Sequence, residues 1–258
     1  MARRASCSAV ISFGLVSIPV KFYIAAKTEN VSFCLLSPKG DRVEQLYREK
    51  STGKEVARNE MLRGYEVGKN QIVQFTSDEI KALEEKNNGE IEIKEFVPAS
   101  SVDLLHVETS HHLSPGKGGD KAYTLLAKAL LKTEQYAVAQ YTARGKQHVV
   151  VIRPYQDGLV IHQMFLANEV REFESDVAKV TVKDTEVDMA CMLIASLKKD
   201  KYDVSSYVDT YKERVEKAVE AKLAGTKAPE EPEAKPEPIN DLFAALQASL
   251  AAQAKKTA

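Results

Sequence analysis

The sequence predicts an α+β chain in which a barrel or sandwich of short strands fills the first two-thirds and helices fill the remainder. Three observations carry this expectation. Bulky apolar residues alternate with polar ones at the period of a half-buried strand through much of residues 8–166. Turn signals such as Thr52-Gly53-Lys54, Arg144-Gly145-Lys146 and Asp157-Gly158 interrupt that alternation. From Asp188 onward the apolar residues recur instead at helical spacing.

Taken in order, Ile11, Phe13 and Leu15 alternate, as do Val20, Phe22 and Ile24, giving two strands with a break expected near residues 17–19, where Pro19 has no N–H for a ladder. Arg3-Arg4 ahead of this stretch imitates a secretion signal, but Ser12, Gly14, Ser17, Pro19 and Lys21 interrupt the apolar run and its period is that of a strand. Residues 31–36 read as a third strand, and 42–48 and 55–66 continue the pattern. Residues 77–85 read as a helix, with Ser77 able to cap it and Ile80 and Leu83 three apart on one face. Residues 90–96 return to strand, Ile91 and Ile93 alternating with charge.

A loop over 115–119 then opens a helix at Asp120, whose carboxylate can cap the first turn. Tyr123, Leu126, Ala127 and Leu130 form its apolar stripe, while Lys121, Lys128 and Lys132 fall at i, i+7 and i+11 on another face. Three strands follow, 136–143, 148–153 and 159–166, as a meander with basic turns. Met189, Met192, Leu193 and Leu197 make one helical stripe; Tyr207, Tyr211, Val215, Ala218 and Leu223 make another that stops at Gly225, a residue suited to the position after a helix. Residues 226–238 hold four Pro and four Glu with no bulky apolar group and are expected to be a disordered linker. It leads to a short amphipathic helix over 239–258 with Ile239, Leu242, Phe243, Leu246 and Leu250 on one face.

Charge and cysteine usage narrow the function. The 258 residues carry 36 Lys and Arg against 37 Asp and Glu, a net charge of -1 that argues against coating a polyanion by bulk charge. The balance is zoned: residues 1–60 and 111–171 each carry a net +4, whereas 61–110 carry -5 and 172–225 carry -3. Such zoning suits one surface that attracts phosphates on an otherwise acidic body. No apolar run approaches the ~18 residues of a membrane span. Cys7, Cys34 and Cys191 are scattered and odd in number with no C-x-x-C, so a reducing, cytosolic setting is expected.

Gly116-Lys117-Gly118-Gly119 invites comparison with a phosphate loop, yet the Walker spacing and its Ser or Thr are missing. A backbone phosphate contact at the start of that helix stays open beside the reading as a plain connecting loop. His106, His111 and His112 invite a metal, but adjacent residues in a strand point to opposite faces, so His111 and His112 are poorly placed to share an ion. There is no G-x-S-x-G and no pair of carboxylates that stands out, and no cofactor is expected. What remains is the basic set Lys117, Lys121, Lys128, Lys132, Arg144, Lys146 and Arg153. Strands of about eight residues extend on the order of 25 Å, long enough to lie across a duplex. The alternative is a solvated hairpin with ordinary surface charge.

Three stretches share a resemblance. Ile11-Ser12-Phe13-Gly14-Leu15-Val16 running on through Ile18-Pro19-Val20-Lys21-Phe22-Tyr23 is one; Leu113-Ser114-Pro115-Gly116-Lys117-Gly118-Gly119 with Lys121-Ala122-Tyr123, Leu125-Leu126 and Glu169-Val170-Arg171 is the second. Tyr211-Lys212-Glu213-Arg214 with Glu220-Ala221-Lys222-Leu223-Ala224-Gly225 is the third. In this order, across residues 8–225, they resemble the bacterial Ku family, the DNA-end-binding factors of non-homologous end joining. The resemblance implies a β-barrel core over 1–185, with its central segment, about 111–171, as an extended bridge, and a helical segment over 186–225 that completes a ring-shaped homodimer threaded by duplex DNA. It implies no catalysis, a cytoplasmic, nucleoid-associated protein without membrane attachment, and recruitment of an ATP-dependent DNA ligase. Lys21 matches the opening motif, Lys117 and Lys121 match the central one, and Arg144, Lys146 and Arg153 fall in the expected bridge; all would meet phosphates without reading bases. Leu242, Phe243, Leu246 and Leu250 are expected to dock on a partner, with the ligase as the candidate. The chain departs from many relatives in lacking a cysteine pair around Lys50-Ser51-Thr52-Gly53-Lys54, which removes a metal knuckle, and in ending with only Lys255-Lys256 where a lysine-rich tail is common. The competing expectation is a metal- or nucleotide-dependent nucleic-acid enzyme built on His106, His111, His112 and the Gly116 to Gly119 loop.

Overall fold

Gly14 sets the first hairpin. At φ 57° it occupies the left-handed region that a side chain disfavours, and the two-residue turn Gly14-Leu15 joins β1 (Cys7–Phe13) to β2 (Val16–Ile24). The break expected at 17–19 therefore lies earlier, and Pro19 sits inside β2 opposite Val10. Its carbonyl accepts the N–H of Gly116 at 2.7 Å. A Cβ added at Gly116 or Gly119 would come within 3.0 or 2.8 Å of Pro19 atoms, so this loop needs glycine for close packing. The computed structural model describes residues 4–28, 30–69, 71–86, 88–173 and 180–226, together with Ser249. Most of the expected linker, and the stripe Ile239, Leu242, Phe243, Leu246 and Leu250, lie outside the described residues.

After β2 come β3 (Arg63–Gly68), β4 (Gln71–Phe75), α1 (Ser77–Leu83), β5 (Glu90–Pro98), β6 (Val107–Pro115), α2 (Asp120–Thr133), β7 (Gln135–Ala143), β8 (Lys146–Tyr155) and β9 (Gly158–Met164). Seven of the strands form a closed barrel in the order β1-β2-β6-β9-β8-β7-β5, and β3 and β4 pair separately. Every barrel pairing is antiparallel except the closing one, where Val10 to Ser12 run parallel to Glu90 to Glu92. Closure leaves no free sheet edge in the barrel to pair with another chain. Alternate residues fill the interior: Ile11, Ile18, Ile91, Ala137, Ala139 and Ile152 are fully buried.

Helix α2 lies over the end of the barrel where β1, β6 and β8 finish and β2, β7 and β9 begin, and its stripe Tyr123, Leu126, Ala127 and Leu130 joins the core as the spacing predicts. The cap differs. Gly119 occupies the N-cap with no side-chain hydrogen bond, so Asp120 does not cap the turn. Tyr123 ties the helix to two staves, its hydroxyl donating to the Leu113 carbonyl at 2.7 Å and accepting from the Leu159 N–H at 2.8 Å. Tyr123→Phe leaves both buried backbone groups unpaired, so the denaturant midpoint should correspond to a loss of about 2 kcal/mol with an unchanged slope. A loss below about 0.5 kcal/mol would show that water replaces the hydroxyl.

The segment expected to form an extended bridge, 111–171, instead supplies most of β6, α2 and β7 to β9 in the barrel unit. The stretch that leaves the barrel is 25–88, between β2 and β5. Among its described residues none is a buried hydrophobic, and Phe33, Leu35, Leu46, Tyr65 and Ile72 are exposed. The strands expected at 31–36 and 42–48 reduce to the isolated bridges Leu36–Arg42 and Arg48–Glu55, and of the one expected at 55–66 only residues 63–66 are strand, as the start of β3. Alternation without an opposing core gave the pattern without the strand. The Lys50 to Lys54 loop is held by an Arg48–Glu55 ion pair at 3.2 Å, by the Glu49 N–H on the Lys54 carbonyl at 2.9 Å, and by a Thr52–Glu49 hydrogen bond. Thr76, not Ser77, caps α1, with Glu79 completing a capping box.

The backbone contacts divide the chain into two units, Met1–Phe173 and Glu174–Ala258. In the second, α3 (Asp184–Leu197) and α4 (Thr210–Leu223) follow the two stripes, with Tyr207 ahead of α4. Asp209 caps α4 through the N–H groups of Tyr211 and Lys212, and Gly225 ends it at φ 73°. Neither helix has a buried residue. No helix among the described residues is long and apolar enough to cross a membrane.

Candidate nucleic-acid interface

The outward phase of β2, β6, β9 and β8 is mixed: Val151, Val160 and Met164 are buried there apart from the barrel-core cluster, among polar and aromatic side chains. On β2 these are Lys21 and Tyr23, which stand opposite Ser114 and His112 of β6. The His112 ring lies 5.7 Å from that of Tyr155, and the Arg153 guanidinium lies 5.3 Å from the Tyr155 ring centroid. Arg153 donates from Nε to His162 Nε2 at 2.8 Å and from Nη1 to the Pro154 carbonyl at 3.4 Å. Because guanidinium can only donate, His162 Nε2 must accept; the neutral ring then carries its proton on Nδ1 and gives it to Ser110 Oγ, 2.7 Å away. The chain Ser110, His162, Arg153, Tyr155, His112 thus holds one cation and one aromatic ring in place on the barrel wall.

Burial, and then the Arg153 charge, push the His162 pKa down to about 4. The unfolded ring titrates near 6.5, so between pH 6.5 and 4 the unfolded chain takes up a proton that the folded one refuses. Stability from this site is complete above about pH 6.5 and is lost as pH falls toward 4. Thermal midpoints measured across that window should fall, and His162→Asn should flatten the fall. An unchanged pH slope in that variant would assign the loss to other groups, of which half-buried His111, lowered by burial, is one.

The eight basic residues expected at the interface do not form one patch. Lys21 and Arg153 lie on the wall, and Lys117 and Lys121 lie at its edge, in and just after the loop that rests on Pro19. Lys128 and Lys132 continue along the exposed side of α2. Arg144 and Lys146 are at the far end of β8, about 30 Å from Tyr155 at roughly 3.3 Å per residue. There the Gly145 carbonyl accepts the Glu85 N–H at 3.0 Å and a Cβ on Gly145 would strike the Glu84 side chain, so acidic residues crowd that turn. None of the eight forms an ion pair among the described residues.

The other candidates separate. The Gly116 N–H goes to Pro19 and the Gly119 N–H to the Gly116 carbonyl at 3.0 Å, so two amides of the supposed phosphate loop are already engaged. His111 points inward, its ring 5.8 Å from Phe22, whereas His112 points outward to Tyr155, and His106 closes a short 3-10 turn, Leu104–His106. No group of three or more His, Cys, Asp or Glu among the described residues is placed to hold a metal. The structure therefore does not assemble the His106, His111 and His112 set into one site. Sequence reasoning missed Tyr23, Ser110, Tyr155 and His162. Tyr23 shares the strand parity of Lys21, and Tyr155 that of Arg153, a signal that was present; the Ser110–His162 brace depends on a register between β6 and β9 that no local pattern shows.

Residues 12–189 match the family model of the Ku70/Ku80 beta-barrel domain. The chain is 39% identical over 261 residues to the non-homologous end joining protein Ku of Paraburkholderia phymatum, covering 99% of this chain and 85% of the relative. It is 36% identical over 226 residues to that of Archaeoglobus fulgidus, covering 86% and 89%. It is 33% identical over 264 residues to that of Mycobacterium tuberculosis, covering 98% and 96%.

Proposed function

This chain belongs to the Ku family, and we propose that it binds the ends of double-stranded DNA without regard to sequence, as a homodimer that closes around the duplex in non-homologous end joining. The observation that carries this reading is the barrel wall, where, among the described residues, Lys21, Lys117, Lys121 and Arg153 form no ion pair with a carboxylate and no recognition helix accompanies them. Such a surface neutralises phosphates and leaves base edges unread. The arch over the duplex is the 25–88 excursion in place of 111–171, and its exposed Phe33, Leu35, Leu46, Tyr65 and Ile72 are covered by a second copy of the chain. The role is non-catalytic and needs no cofactor, in the cytoplasm and on the nucleoid. An ATP-dependent DNA ligase is the downstream partner, taken up by Leu242, Phe243, Leu246 and Leu250 at the end of a Pro/Glu linker.

Competition tests the central part. Linear duplex should displace a labelled linear probe, and covalently closed circles of the same sequence should not. Equal competition by circles would replace the ring with an open basic groove. Removing residues 227–258 should leave end binding intact and abolish stimulation of ligation; full stimulation by the shortened chain would sink the ligase assignment.

A further inference from the structure

A cleft of about 610 Å³ opens on the barrel wall between β2, β6 and the β8–β9 hairpin, lined by Tyr23, His112, Ser114, Tyr155, Gln156 and Asp157 among others. Its volume falls in the range that small ligands occupy. Its walls combine three rings with an amide, a carboxylate and a hydroxyl. Tyr155 is partly exposed yet fixed from behind by Arg153, which is itself held by His162. The β8–β9 turn adds a second sign of purpose. Gln156 occupies φ 51°, a conformation in which a side chain is strained and glycine would be at ease, so the fold keeps an amide at the lip of the cleft at the expense of its turn.

We propose that this cleft takes a single unpaired nucleobase, stacked against Tyr155 and His112, with Gln156, Asp157 and Ser114 reaching its polar edge. Aromatic faces serve every base, and an amide beside a carboxylate offers both donors and acceptors to a heterocycle. Lys21 stands directly across the strand pair from Ser114, where the phosphate following that base would lie. The inference rests on the end-binding reading and refines it: the wall holds the duplex, and the cleft holds the first unpaired base of an overhang. A free nucleotide shares this chemistry, and the experiment separates the two.

Duplexes with blunt ends and duplexes with a four-nucleotide overhang carrying 2-aminopurine at the first unpaired position would be titrated against the full chain. The overhang duplex should bind about tenfold more tightly, the worth of one base stacked on an aromatic ring, and the 2-aminopurine emission should be quenched. Tyr155→Leu should remove both the preference and the quenching, the preference being read against that variant's own blunt-end affinity because the change also strips Arg153 of its ring. Gln156→Gly relaxes the turn and so keeps the fold; it should reduce the preference without altering blunt-end binding. Competition by deoxyadenosine monophosphate that removes the quenching at micromolar concentration would assign the cleft to free nucleotide and overturn the overhang assignment. Equal overhang preference in both variants and the unsubstituted chain would overturn the cleft. If the unsubstituted chain fails to bind the blunt duplex, the end-binding reading fails, and this refinement with it.

Discussion

Cutting out residues 25–88 and joining β2 to β5 through a short glycine-rich turn should abolish end-restricted binding, so that linear and closed circular DNA compete equally. The barrel should survive, because its buried hydrophobic residues, among those described, all come from 9–22 and 91–164. The lost anchors are few: the Ala25 N–H on the Ser110 carbonyl at 3.3 Å, and the contacts of Glu84, Glu85 and Gly145. Two barrels no longer joined by their excursions bind as independent modules, so affinity for linear DNA should fall by about 10²–10⁴, the avidity gained by linking two sites. Sedimentation should report a monomer. A shortened chain that remains dimeric and still prefers ends would place the closure elsewhere in the molecule.

The excursion also shows where sequence reading works and where it stops. Residues that face a shared core declare themselves: Tyr123, Leu126, Ala127 and Leu130 were legible as one stripe and pack as one. The strands β5, β7, β8 and β9 were found within a few residues for the same reason, since one face of each is buried. Of strand β6 only His111 and His112 were read as strand residues, and its extent was not found, because its apolar period is weak. In 31–66 the pattern was present but the barrel offers it no partner, and periodicity cannot report what a segment packs against. The site divides along the same line. Exposed lysines could be counted from the sequence, yet their separation into a wall group and a distant Arg144–Lys146 turn follows from strand register and barrel closure, which are long-range.

That separation makes a quantitative expectation about salt. With four wall cations per protomer and two protomers on the duplex, about eight phosphates are neutralised, and log affinity should fall against log salt with a slope near -7. Between 50 and 200 mM salt this amounts to a loss of roughly 10⁴. Replacing Lys21, Lys117 and Lys121 with Gln removes six of the eight charges in the dimer and should bring the slope to about -2, each lost contact reducing it by about one. These three side chains are exposed and make no ion pair or hydrogen bond among the described residues, so the thermal midpoint should stay where it was. Arg153 needs separate treatment, because replacing it also strips His162 of its partner. Arg153→Lys keeps the charge and loses the Nε contact; it should leave the slope intact. Replacing Arg144 and Lys146 with Gln should change the slope by less than one per protomer, because Glu84 and Glu85 already crowd that turn. A larger change from this pair than from the wall triple would move the duplex to the opposite end of the barrel, beside the excursion, and would leave the wall without a role in binding phosphate.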